Sequence, residues 1–239
     1  ILGLFVAAPQ FVRPDHPHGV GLSARKPGVL IFSTGMVAFL SWLADGGTGL
    51  LIIALAAGTL LPLTSRFSTQ AFFFVALSLS LLYTPLAIAY FIGSLVLALI
   101  FSGGYYWRVL SAHVWFSADF AKVKQYKFLY NGYKCIDTAK RFLSAIRSRS
   151  PKEALESLFD SILLRSLFDN PFVIPAIVAT FVGFSSNVLQ GYYIWLYAGL
   201  GAYVLTSLYH LRFLGHAGRY LEHTFVPSAV VVASAFGQQ

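Results

Sequence analysis

The chain has 239 residues, of which 57% are hydrophobic and 11% are charged, and its formal charge is +8. Soluble domains contain about 45–50% apolar and about 25% charged residues, so this composition excludes an ordinary soluble domain and a disordered chain. Lys and Arg outnumber Asp and Glu by 17 to 9, a bias that is typical of basic cytoplasmic loops in a membrane protein. The single cysteine, Cys135, excludes a disulfide framework within one chain.

Apolar runs separated by turn signals predict six membrane helices, because each run is apolar on all sides as a helix in lipid is. The runs cover residues 29–44, 49–63, 71–83, 86–101, 172–189 and 192–208. A further run, 226–236, is shorter than the roughly 20 residues that a spanning helix needs. We interpret it as a seventh helix that the end of the chain truncates.

Pro85 marks a predicted turn between the third and fourth helices, since one helix over both runs would overshoot the bilayer core by roughly 15 Å. Another turn is predicted at Gln190-Gly191. The chain is therefore divided into a polar, Pro-rich lead-in (1–27), membrane helices 1–4 (28–101), a basic amphipathic helical loop (102–170) and membrane helices 5–7 (171–239).

The loop 102–170 contains 11 of the 17 basic residues and six acids. Apolar residues recur there at every third or fourth position from Phe120 to Ile146, which predicts an amphipathic helix at the membrane interface. Ser150-Pro151-Lys152-Glu153 has the pattern of a capping box and predicts a second helix start. No nucleic-acid-binding motif accompanies these basic residues, so a nucleic acid is not an expected partner. The expected partners are the bilayer, an anionic lipid or lipid-linked phosphate, and a docking subunit.

Charge bias places this basic loop in the cytoplasm. Because an even number of predicted helices separates them, Arg25, Arg66 and the segment 210–223 are expected on the same side. The turn at Asp45 is then expected on the outer side.

Segment 210–223 concentrates ionisable side chains, with three His, two Arg and one Glu between two apolar runs. Ionisable groups near membrane depth are costly and are often functional. Arg212 and Arg219 have planar guanidinium groups whose paired N–H donors match phosphate oxygens. Together with Tyr220 they form the predicted phosphate-binding set. The alternative is that they are ordinary interface anchors. His216, Glu222 and His223 are candidate catalytic residues for proton transfer.

Asp45, the lone acid between the first two predicted helices, is a further catalytic candidate; the alternative is a solvated turn residue. His216 and His223 would lie roughly 10 Å apart on a helix, too far to share an ion without other ligands, so no metal site is predicted. Nucleotide-binding and metalloprotease motifs do not occur. No cofactor is evident, and a divalent metal is left open.

Two stretches resemble polytopic glycosyltransferases of the C-type superfamily. Arg219-Tyr220-Leu221, leading through residues 224–227 into an apolar run, resembles the entry to a late span of that group. Residues 58–67 resemble a hairpin between middle spans, and together the two stretches cover about 25 of the 239 residues. The resemblance implies a membrane enzyme that transfers sugar from a lipid-linked phosphate at its external face. The group's acidic motif in the first external loop is not matched, and charge bias puts Arg219 inside.

The sequence thus predicts an all-α, polytopic integral membrane protein with six or seven transmembrane helices and an amphipathic interfacial insertion. The expected location is the bacterial inner (cytoplasmic) membrane, and the expected function is glycosyl transfer in surface-polysaccharide or glycolipid assembly. Two other function classes stay open: a transporter or flippase of an anionic lipid-linked substrate, and a non-catalytic membrane subunit that docks a partner through its basic loop.

Overall fold

The computed structural model describes residues 25–122, 135–148, 150–153, 156, 170–182, 187–207, 214 and 218–237. These parts of the chain are helical and contain no strand, which confirms the predicted all-α class. The helices before residue 150 are α1 (Arg25–Asp45), α2 (Thr48–Thr64), α3 (Arg66–Leu82), α4 (Leu86–Phe101), α5 (Tyr105–Lys122) and α6 (Cys135–Arg147). Those after it are α7 (Val173–Val182), α8 (Asn187–Ser207), α9 (Gly218–Glu222) and α10 (Phe225–Gly237).

Helices α1 to α4 follow one another through turns of one to three residues, so consecutive helices run antiparallel. The predicted turn at Pro85 is confirmed: α3 ends at Leu82 and α4 begins at Leu86. The predicted runs 29–44, 49–63, 71–83, 86–101 and 226–236 correspond to α1, α2, α3, α4 and α10. The predicted run 172–189 does not form one described helix, because it covers α7 and the start of α8, and residues 183–186 lie outside the described residues.

The predicted turn at Gln190-Gly191 is wrong, because both residues lie inside α8, which begins at Asn187. Gly191 serves close packing there. A Cβ on Gly191 would come within 2.7 Å of Leu40 Cδ2 on α1. The glycine therefore lets two helices approach each other and does not mark a loop.

Small residues bring α1, α2 and α4 together in the middle of the bundle. A Cβ on Gly35 would lie 2.8 Å from the Tyr90 hydroxyl, and one on Gly58 would clash with Ser94 and Tyr90. The Tyr90 hydroxyl donates a 2.7 Å hydrogen bond to the Ala54 carbonyl. We call these five residues the small-residue contact.

Aromatic rings fill the space around this contact. Phe39 stacks on Tyr90 with centroids 4.6 Å apart, and Phe72 lies 4.9 Å from the same ring. Phe32 packs edge-on against Trp195 of α8 at 5.4 Å. Aromatic pairs of this geometry stabilise a fold beyond the effect of burying their surface area. The pairs place α8 in one core with α1, α3 and α4.

The bundle has two distinguishable ends. At one end the start of α1, the α2–α3 turn and the start of α10 meet, since Gly28 packs on Ser65 and Ser68, and Ser68 contacts His223. We call this the polar end. The α1–α2 turn at Gly46-Gly47 lies one helix length away, and we call that the hairpin end.

A sharp bend follows α4. Gly103 and Gly104 adopt left-handed backbone angles, with φ of 58° and 80°, which side chains with a Cβ disfavour. As a result α5 leaves at 119° to α4. Tyr105, Trp107 and Trp115 on α5 are exposed, whereas Tyr106 is buried.

The loop 102–170 is described in part. Ser150 caps the helical turn 151–153 and accepts a 3.4 Å hydrogen bond from the Glu153 backbone N–H, as the sequence pattern predicts. Residues 123–134, which include the middle of the predicted amphipathic stripe, lie outside the described residues. The later part of that stripe lies on α6.

One described helix segment, Pro27–Asp45, is long and apolar enough to cross a membrane, and a second counts if α4 and the first part of α5 form one broken span. Three further helices, α2, α3 and α10, are apolar but shorter. With 17 residues, α2 and α3 each extend about 26 Å, against about 30 Å for a hydrocarbon core. By length and composition, the described residues thus contain one or two of the six or seven spans expected from the sequence.

Candidate functional site

The polar end is organised by the first turn of α3. Ser65 has an extended backbone, and its hydroxyl accepts a 3.3 Å hydrogen bond from the Ser68 backbone N–H, which is the usual arrangement of an N-cap. A 3.0 Å bond joins the hydroxyls of Ser65 and Ser68. The cap thus fixes both hydroxyl groups inside the bundle, where Gly28 of α1 covers them.

His223 continues this hydrogen-bond chain. Its side chain is 2% exposed, with Nε2 3.1 Å from Ser68 Oγ and Nδ1 3.0 Å from the Arg219 carbonyl oxygen. A carbonyl can only accept, so Nδ1 must carry a proton, whereas the donor in the contact between Nε2 and the Ser68 hydroxyl depends on the protonation of the ring. Phe32 covers the ring edge-on at 5.1 Å. Both ring nitrogens are therefore engaged within the protein.

Tyr220 ties α9 to α3 from a buried position. Its hydroxyl donates toward Gln70 Oε1 at 3.1 Å and toward the Leu214 carbonyl at 3.2 Å. Burial raises the pKa of Tyr220 to about 12, an effect that the positive charges of Arg66 and Arg219 partly oppose. The phenol stays neutral at physiological pH and acts as a hydrogen-bond donor.

Two arginines act electrostatically on Tyr220 at this end. The Arg219 guanidinium lies 4.1 Å from the centroid of the Phe67 ring, so a cation–π contact holds its charge in place. Arg66 is close enough to Tyr220 and to His113 of α5 to act on both electrostatically. Burial lowers the pKa of His113, and the charge of Arg66 lowers it further.

A second set of polar contacts connects α7 to α10. Asn170 donates through Nδ2 to Thr224 Oγ1 at 3.1 Å, and its Oδ1 accepts from the Phe172 backbone N–H at 3.2 Å. The Thr224 hydroxyl donates to the Leu221 carbonyl at 2.7 Å. Asn170 and Thr224 are buried, so their mutual bond is the reason why polar groups are tolerated at this helix contact.

The structure brings some of the predicted site residues together and separates others. Arg219, Tyr220, Glu222 and His223 lie on or directly after α9, and Glu222 is half-buried. Asp45 ends α1 at the hairpin end, about 26 Å along the helix from Gly28. Arg212 and His216 lie outside the described residues.

Sequence reasoning missed the residues on α3 that complete this site. Ser68 and Gln70 are 155 and 150 residues from their partners His223 and Tyr220, and nothing in the local pattern links them. One signal was present, because Ser65 follows the apolar run of α2 and precedes that of α3, a position typical of a helix cap.

No group of three His, Cys, Asp or Glu side chains close enough to hold a metal ion occurs in the described ranges. The groups at the polar end are two guanidinium cations, hydroxyls, an imidazole and the carboxylate of Glu222. The guanidinium groups can bind an anion, since their paired N–H donors match phosphate oxygens.

In the described residues these features make a helical bundle with small residues at its centre and a hydrogen-bonded, basic end. The chain matches no known protein family, and no curated protein or solved structure is significantly similar to it.

Proposed function

We propose that this chain is a polytopic membrane protein of surface-polysaccharide or glycolipid assembly, and that it binds a lipid-linked sugar phosphate at the polar end for glycosyl transfer. Arg66 and Arg219 would hold the phosphate. The observation that carries the proposal is that Arg66 begins α3 and Arg219 lies over the Phe67 ring, which places both cations at one end of an apolar bundle.

Insertion of the bundle in lipid is supported by the distribution of its side chains. Large apolar residues are exposed on six helices around the bundle: Leu30, Ile53, Leu77, Ile92, Phe181 and Val204. Polar residues such as Ser68, Ser94 and Thr224 are buried instead. Apolar surface of this extent is unfavourable in water and matches a hydrocarbon environment, in which helices associate through small and hydroxyl-bearing residues.

The phosphate site is supported by how the arginines are held. The cation–π contact positions the charge of Arg219 on the Phe67 ring, and the half-buried guanidinium can still reach a phosphate with in-plane N–H groups. The Tyr220 hydroxyl is already engaged with Gln70 and Leu214. We therefore assign the phosphate contact to the arginines and a positioning role to Tyr220.

The transfer step rests on the glycosyltransferase resemblance. The two stretches that carry it, 58–67 and 219–227, meet at the polar end, where Arg219 lies over Phe67. Glu222 is three residues from Arg219 on α9, which puts both on one helix face. Its carboxylate is the proposed general base for the acceptor hydroxyl.

The decisive experiment compares Arg219→Ala and Arg66→Ala with Lys152→Ala, which also removes one positive charge but at an exposed site outside the bundle. The full chain in nanodiscs is titrated with a long-chain isoprenyl monophosphate and with the corresponding uncharged isoprenol. Loss of a charge-assisted hydrogen bond predicts phosphate binding about 10- to 100-fold weaker in the two Arg variants, with no change for the isoprenol or for Lys152→Ala.

Equal phosphate affinity in all three variants would contradict the site. Unchanged affinity together with unchanged substrate turnover would leave the docking-subunit hypothesis. Movement of a lipid-linked phosphate across liposomes without bond formation would favour the transporter.

The orientation of the site is tested by cysteine labelling in intact cells, with Cys135 replaced and a cysteine placed at Gly47 or Gly218. These positions lie at the hairpin end and the polar end. Charge bias predicts that an impermeant thiol reagent labels Gly47→Cys alone. Labelling of Gly218→Cys from outside would invert the topology and match the external active face of the C-type glycosyltransferases.

A further inference from the structure

Helix α6, outside the polar end, has an amphipathic surface of its own. Leu143 and Ile146 are 59% and 53% exposed, although both are large and apolar. Because they are three residues apart on a helix, they share one face, the apolar stripe of α6. Lys140 and Arg147 are exposed beside it, and a wheel places them at the same edge of the stripe.

The charge of α6 restricts what can cover this stripe. Its 13 residues include three bases, Lys140, Arg141 and Arg147, and one acid, Asp137. A short helix with an exposed apolar stripe bordered by cations fits the boundary between acyl chains and headgroups. The apolar side chains enter the acyl region while the long basic side chains extend back to phosphate groups.

We propose that α6 docks on an anionic bilayer surface, with Leu143 and Ile146 inserted below the headgroups and Lys140 and Arg147 bound to lipid phosphates. This surface does not depend on the proposed phosphate site at Arg66 and Arg219. Anionic lipid is the committed occupant because the cations border the stripe, where headgroup phosphates would lie. If an acidic protein groove or a second copy of the chain covered the stripe instead, spin labels on it would be protected from both oxygen and a nickel chelate.

The test uses site-directed spin labels on the full chain in nanodiscs, with Cys135→Ser and one new cysteine. Leu143→Cys and Ile146→Cys report the stripe. Ser144→Cys is the matched control, since Ser144 is exposed but lies on another face of the same helix. Accessibility to oxygen, which partitions into lipid, is compared with accessibility to a water-soluble nickel chelate.

In discs containing phosphatidylglycerol, labels at 143 and 146 should be accessible to oxygen and protected from nickel, whereas the label at 144 should show the reverse. Each cation near an anionic surface favours docking roughly fivefold. Lys140→Gln with Arg147→Gln should therefore reduce the docked-to-undocked ratio of the stripe labels by roughly 25-fold.

Three results would overturn the proposal. Labels at 143 and 144 that are equally accessible to nickel would show that the stripe faces water. A label at 143 that is protected from both reagents would show a protein contact. Equal docking in purely zwitterionic discs would show that the headgroup charge has no part in it.

Discussion

Two buried regions of the molecule are held together by opposite means. In the small-residue contact, Gly35 and Gly58 allow helix backbones to approach, and shape decides which helices fit. At the polar end, Ser65, Ser68 and His223 join three elements by hydrogen bonds between buried groups. The first region has little space for added volume, and the second depends on hydrogen bonds between buried groups. Substitutions of opposite kind should therefore damage each region.

The largest effect is expected at the polar end, from His223→Ala. The change removes the bonds to Ser68 and the Arg219 carbonyl and leaves a cavity beside Phe32. Unsatisfied buried groups and a cavity of ring size together predict a loss of about 3–4 kcal/mol in the free energy of unfolding. Unfolding of the full chain in mixed micelles, titrated with a denaturing detergent, measures it.

Ser68→Ala separates the hydrogen bond from the cavity. If the Ser68–His223 bond matters, the double variant should cost less than the sum of the single variants by about 1 kcal/mol. A His223→Ala protein as stable as the surface variant Lys152→Ala would show that the hydrogen-bonded end contributes nothing to stability.

The second largest effect is expected at the small-residue contact, where a glycine-to-alanine change adds one methyl group. A Cβ on Gly58 would clash with Ser94 and Tyr90, whereas a Cβ on Gly93 would meet no atom within 4 Å. Gly58→Ala should lower stability by about 2 kcal/mol through overpacking. Gly93→Ala should raise it by up to about 1 kcal/mol, since Ala is the better helix former. The same unfolding titration would contradict the packing if both changes had the same sign.

The difference between the regions also explains what the sequence could predict. Helix positions follow from apolar runs and from breakers such as Pro85, so α1 to α4 were predicted closely. Gly191 carries the same local signal as a turn, and only its contact with Leu40 of α1 shows that it serves packing. Glycine occurs both in turns and where two helices approach closely, so a glycine in the sequence does not by itself tell which of the two is present.

Of the residues at the polar end, the sequence identified those of the segment 210–223 and missed those of α3. Arg219, Tyr220 and His223 are prominent because charges and hydrogen-bonding groups are rare between apolar runs. Their partners Ser68 and Gln70 are ordinary helix residues that become part of the site through tertiary contacts. Burial also changes the role of His223, because a histidine that looks reactive in sequence has both nitrogens engaged in the folded protein.

The smallest effect is expected from Tyr220→Phe, which removes one hydroxyl and keeps the ring. Gln70 and the Leu214 carbonyl then lose a donor, and the expected loss is about 1 kcal/mol of stability. Tyr105→Phe is the control, since that side chain is exposed on α5. Because the Tyr220 hydroxyl is engaged internally, its removal should leave isoprenyl monophosphate affinity within about twofold of the parent chain, far from the effect of Arg219→Ala. A Tyr220→Phe chain of unchanged stability that binds the phosphate tenfold more weakly would instead make the hydroxyl a ligand contact and return Tyr220 to the phosphate-binding set.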